Sequence, residues 1–262
     1  MLTVTYAQLN AWLVLFLWPF CRLLAFMLVA PVLGHSSIPR TVKLGLAALI
    51  TFAVAPNLPP LPDVPIWSWA GLGVIVEQTL IGVALGLTLR VVFAAVMAAG
   101  DFIGLNMGLA FATFVSPDAG ADTMILARLF YMISLLMFLA LDGHLMVIET
   151  LAFSFDALPI GYTGLNAAGF SLLAHFGTTV FAAGLLLSLP LIAALLIVNL
   201  SLGILNRAAP QMTVFSVGFP TSLTLGLFLI GVLMTDLGRY LDQLFGQGLA
   251  TMQQLIRALA PV

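Results

Sequence analysis

Four ionisable side chains, Arg22, Glu77, Arg90 and Arg128, lie inside apolar runs, where a charge has to be either used or neutralised. Left facing hydrocarbon, each would cost on the order of 3 kcal/mol on insertion scales, so each requires a partner. Residues of this kind could relay protons or ions, or they could form static pairs; static pairing is favoured. Glu77 and Arg90 are 13 residues apart. That is about 20 Å along a helix, so they cannot pair within one and must meet another helix, another subunit or water.

A second candidate is the segment GDFIGLNMGLAFATFVSPDAG, residues 100–120. It is too apolar for an exposed loop and too rich in glycine for a good helix, which points to burial without regular structure. Gly104 and Gly108 permit close backbone approach, while Met107, Phe111 and Phe114 supply flexible or bulky apolar bodies that fill irregular space. In a channel they could form a plug. A Gly-x-x-x-Gly pair also marks ordinary helix contact, and composition alone leaves both readings open.

Enzyme chemistry has no comparable foothold. His35, His144 and His175 have no second ligand at metal spacing, so no metal or cofactor is expected. There is no phosphate-binding loop, no His-Glu-x-x-His pair and no Gly-x-Ser-x-Gly elbow. Asn199-Leu200-Ser201 fits a glycosylation pattern but sits in a hydrophobic run and is discounted. Cys21, the sole cysteine, can form no internal disulfide and reads as a small buried hydrophobe.

The elements that carry these residues are set by composition. Apolar residues make up 62% of the chain, and charged residues 7% against about a quarter in globular proteins. No charge occurs between Ala157 and Asn206, a stretch of 50 residues, and about 20 apolar residues already suffice to cross a hydrocarbon core of roughly 30 Å. The net charge of −2 and the absence of a basic cluster set nucleic-acid binding aside. No stretch is polar enough to fold as a separate soluble domain, so residues 1–262 are expected to form a single membrane domain. Arg22, the first cation, lies in the middle of the first apolar run rather than ahead of it, which argues against a cleavable signal.

Six apolar segments can be marked, at residues 11–33, 41–56, 66–99, 124–141, 170–205 and 212–235. The even count puts both ends on one side, and Arg40, Lys43 and Arg207 place those ends in the periplasm by the positive-inside rule. Segments 66–99 and 170–205 would be about 50 Å long as straight helices, beyond the hydrocarbon core. They are expected to tilt, leave the bilayer, or break, with Pro190 and, more weakly, Gly82 and Gly86 as break points. The fold class is therefore an all-α membrane protein of about six apolar helical segments, arranged as bent or broken hairpins.

Residues 236–262 read differently. Leu237, Leu241, Leu244, Phe245, Leu249, Met252, Ile256 and Leu259 recur at three- and four-residue steps among charged and amide residues. This is an amphipathic helix, expected to lie on the bilayer surface or to dock on a partner subunit.

Four stretches, in order along nearly the whole chain, carry a resemblance: GHSSIPRTVKLGLA (34–47), the 100–120 segment, LDGHL (141–145) and LNRAAPQMTVFSVGFP (205–220). Together they resemble the FliR family of flagellar biosynthetic proteins, the R/T subunits of type III secretion export gates. The resemblance implies a structural and gating subunit without enzymatic activity, assembled with P and Q subunits around a pore, working with the B and A export subunits and passing unfolded flagellar proteins. It implies a place in the bacterial inner membrane at the flagellar basal body, with helical hairpins standing toward the periplasm. It also assigns the pore plug, and with it Gly104, Met107, Gly108, Phe111, Phe114, Val115 and Pro117. The injectisome export subunit is the nearest alternative. A small-solute secondary transporter is the rival from another class; it calls for a midplane polar site and internal repeats, and neither is clear. Small departures from the family pattern fall at Asn106, Ser116 and Asp142.

Overall fold

The computed structural model describes residues 5–35, 37–62, 64–109, 125–161, 164–208 and 217–261. Its elements are α1 (Tyr6–Val29), α2 (Arg40–Val54) with a 3-10 turn at Ala55–Asn57, α3 (Trp69–Asn106), α4 (Ile125–Ala140), α5 (Gly143–Ala157), α6 (Ala167–Phe176), α7 (Thr179–Ala208) and α8 (Phe219–Leu259). Among the described residues there is no strand, and the fold class is all-α as expected. Four helices are long and apolar enough to cross a membrane, or up to five if the bent pair α4 and α5 counts as one span. At 15 residues α2 is only about 22 Å long. The even count that put both ends on one side thus holds for four spans and not for five.

Local sequence sets the helix ends. The Thr5 N–H donates to Gln8 Oε1 at 3.0 Å, satisfying one free donor at the start of α1. Asn166 Oδ1 accepts from the Ala168 N–H at 2.9 Å and caps α6. Between α4 and α5 the chain turns at Asp142, at φ 55° and ψ 22°, a left-handed conformation that Asp and Asn tolerate better than other side chains. That local demand explains the Asp in Leu141-Asp142-Gly143-His144-Leu145.

The chain forms two compact units. The first comprises residues 1–91, 142–177 and 246–262. Within it Phe16 stacks on Phe20 at 5.3 Å and meets Phe52 of α2 at 5.1 Å. Gly82 and Gly86 let α3 lie directly on α1: a Cβ at Gly82 would run into Arg22 O and sit 2.9 Å from Ala25 Cβ, and one at Gly86 would sit 2.9 Å from Val29 Cβ. The second unit comprises residues 92–141 and 178–245. Its core includes Phe93, Phe138 and Phe245, whose ring centroids lie 5.2 to 5.6 Å apart. Tyr240 of α8 donates to Ala183 O of α7 at 2.7 Å.

Three sequence expectations change. α3 runs unbroken over 38 residues, and its glycines serve close approach rather than a break. α7 continues through Pro190; the interruption in the 170–205 segment falls at Gly177 and Thr178, between α6 and α7. The amphipathic segment is not a separate helix but the end of the 41-residue α8. Its stripe from Leu237 to Leu259 is buried by the chain itself, so that face is available neither to the bilayer surface nor to a partner. One further helix, α5, lies outside the six apolar segments. Glu149 and Asp156 lie on its exposed face, while Val147, Leu151, Ser154 and Phe155 are buried at helical spacing.

Candidate functional site

The residues singled out by sequence fall into two places. The first is a buried polar cluster in the first unit. Arg22 of α1 is 0% exposed, and its guanidinium, which can only donate, is almost fully engaged. Nε donates to Gln78 Oε1 of α3 at 2.8 Å. Nη1 donates to Ser154 O at 2.7 Å and Ser154 Oγ at 3.1 Å, and Nη2 to Leu158 O at 2.8 Å. The same group lies over the Phe155 ring, 4.2 Å from its centroid.

Ser154 O, which also accepts the Leu158 N–H at 3.0 Å, and Leu158 O stand at the C-terminal end of α5, where the helix dipole is negative. Arg22 therefore acts as a C-terminal cap delivered by another helix. Glu77, 7% exposed, supplies the negative charge that acts on it. Arg22 thus ties α1 to α3 through Gln78 and to the end of α5 through Ser154 and Leu158. Because the guanidinium fixes which end of the Gln78 amide faces it, Gln78 Nε2 points away. That nitrogen and Trp18 Nε1 are buried and have no hydrogen-bond partner among the described residues.

Arg90 and Arg128 differ. Both are exposed, and among the described residues neither makes a hydrogen bond or ion pair. Lys43, read only as a topology signal, is buried and donates from Nζ to Gly34 O and His35 O, both at 3.0 Å. A cation spent on its own loop carries less weight for orientation, and its place beside GHSSIPRTVK was the available clue.

The second place is the end of α3, in the second unit. Leu109 N–H donates to Gly104 O at 3.0 Å and Gly108 N–H to Leu105 O at 3.1 Å, with Gly108 at φ 80°. This double bond with a left-handed glycine is a Schellman helix stop. Gly104 and Gly108 thus take part in ending a helix. Met107, 1% exposed, is the last helical-side residue before the turn, and it lies against Gly226 of α8. A Cβ added at Gly226 would lie 2.6 Å from Met107 Cγ and Cε and 2.7 Å from Sδ. Phe111, Phe114, Val115 and Pro117 lie outside the described residues. Gly226 was missed by sequence reasoning, because it is one of several glycines in an apolar helical run and its spacing does not single it out.

Four or five helices long and apolar enough to cross a membrane define an integral membrane protein of the all-α class. The chain belongs to the bacterial export proteins, family 1, whose model matches residues 13–248. It is 48% identical over 247 residues to a protein named Flagellar biosynthetic protein FliR from Escherichia coli (strain K12), covering 94% of each chain. The protein of that name from Pectobacterium carotovorum subsp. carotovorum is 45% identical over the same shares. The one from Bacillus subtilis (strain 168) is 28% identical over 92% of this chain and 94% of its own length.

Proposed function

We propose that this chain is a structural and gating subunit of the flagellar type III export gate, lining and plugging the pore through which unfolded flagellar proteins leave the cell. The observation that carries the reading is near-full-length similarity to proteins named Flagellar biosynthetic protein FliR. Those names favour the flagellar over the injectisome branch. The gate sits in the bacterial inner membrane at the flagellar basal body, and its other members are the P and Q subunits, with the B and A export subunits alongside. The chain has no enzymatic activity of its own.

Two features support this role. Large apolar side chains on α7, among them Phe181, Leu186, Ile197 and Leu200, are exposed, as suits a protein covered by lipid and neighbouring subunits. The Schellman stop at Gly108 ends α3 at the start of the plug region. Residues Gly104, Met107, Gly108, Phe111, Phe114, Val115 and Pro117 make up the plug region.

The test is deletion of the gene from a flagellated host. Hook and filament proteins should vanish from the medium and return with the plasmid-borne gene, and the tagged chain should co-purify with P and Q. Normal flagellar secretion in the deletion strain, or proton-coupled uptake of a small solute by the chain alone in liposomes, would overturn the reading.

A further inference from the structure

Met107 is the last buried side chain before the left-handed turn at Gly108, and its neighbour Ile103, one turn back on α3, is also fully buried. The end of α3 is therefore fixed both by its backbone stop and by its packing. On one side Met107 rests on a bare stretch of α8. Three successive atoms of its thioether arm, Cγ, Sδ and Cε, crowd the position a Gly226 Cβ would take. Carbon atoms do not approach at 2.6 Å, so a side chain at position 226 would displace the flexible thioether arm of Met107 from this place.

The α8 surface beneath the methionine is itself held. Ser222, Gly226 and Ile230 follow one another at four-residue steps and are all buried, forming one face of the helix. One turn before the glycine, Ser222 Oγ donates to Asn199 Oδ1 of α7 at 2.7 Å. The seat is thus a rigid platform tied to α7, while the contact upon it is apolar and without direction. Methionine has three rotatable bonds and a polarisable sulfur, so such a contact forms and separates without breaking a hydrogen bond.

We propose that Gly226 is a positioning residue for the plug: its bare backbone is the seat on which Met107 holds the end of α3, and Met107 leaves that seat when the gate opens. The inference rests on the plug reading given above. It adds to that reading a partner surface on α8 and a reason for glycine at position 226.

The experiment uses the chain co-expressed and purified with its P and Q partners, reconstituted in planar bilayers, with secretion measured in parallel in cells. Gly226→Ala and Gly226→Val should raise resting ion conductance severalfold, valine more than alanine. In the Met107→Ala background the added Cβ meets empty space, so Gly226→Ala should add nothing further. Because a Gly226 variant could fail to assemble, a second arm places cysteines at both positions, Met107→Cys with Gly226→Cys, in a Cys21→Ala background. Oxidation should join them, block secretion, and release it again on reduction.

Assembled Gly226 variants with parental conductance would overturn the seat. A pair of cysteines that does not cross-link in the assembled gate, or that cross-links while secretion continues, would overturn it equally. A Phe111→Ala and Phe114→Ala variant run alongside separates the two ideas. If it leaks while Gly226 variants stay tight, the seat fails and the plug stands; if neither leaks, the plug reading has failed as well.

Discussion

The Arg22 cluster and the Gly226 seat are both buried contacts between helices, built on opposite principles. Arg22 is held by directed, charge-assisted bonds to three partners on two other helices, and separating it would strand a cation and several acceptors in a dry interior. Met107 meets Gly226 through dispersion alone, and separating them strands nothing polar. A polar cluster of the first kind fixes a fold. An apolar contact of the second kind is suited to a part that must move and return.

The comparison is broken most directly at Arg22. Arg22→Met should lower stability by about 3–5 kcal/mol, because Gln78 and the carbonyls at the end of α5 lose their charged donor. Thermal unfolding of the purified chain in detergent would read this, and Arg22→Lys should recover little, since one ammonium cannot span Gln78, Ser154 and Leu158. A variant with the parental unfolding temperature would remove the cap from the account.

A smaller loss is expected at the helix stop. Gly108→Ala forces a side chain into the left-handed region at φ 80°, at a cost of about 1–2 kcal/mol, and the same melting measurement checks it. Ser222→Ala removes one hydrogen bond beneath the seat and should cost about 1 kcal/mol. The smallest effect is predicted for Arg128→Gln: this side chain is exposed and makes no bond among the described residues, so the isolated chain should change by less than about 0.5 kcal/mol. A marked drop in co-purified P and Q without loss of chain stability would instead assign Arg128 to a subunit contact.

Much of the helical layout was legible because apolar runs announce it. The helices α1, α4 and α7 fall within the apolar segments marked from sequence to within a few residues. α5 was not, because Asp142, Glu149 and Asp156 give it the look of a connection until its buried face is seen. The continuity of α8 was hidden by a change in pattern, from uniformly apolar to amphipathic, with no break in the backbone to match. In the Arg22 cluster the charges were visible, but the partners were not. Gln78, Ser154 and Leu158 lie 56 to 136 residues away in sequence, and no local spacing encodes such a meeting. Gly226 shows the same limit, since its meaning lies in the methionine that crosses it.

The central claim is that residues 104–117 seal a pore, and ion conductance of the assembled gate tests it most directly. Gates carrying Phe111→Ala together with Phe114→Ala, matched to the parent for assembly with P and Q, should pass small ions at rest while retaining some secretion of flagellar proteins. Conductance as low as the parent's in a normally assembled double variant would contradict the claim.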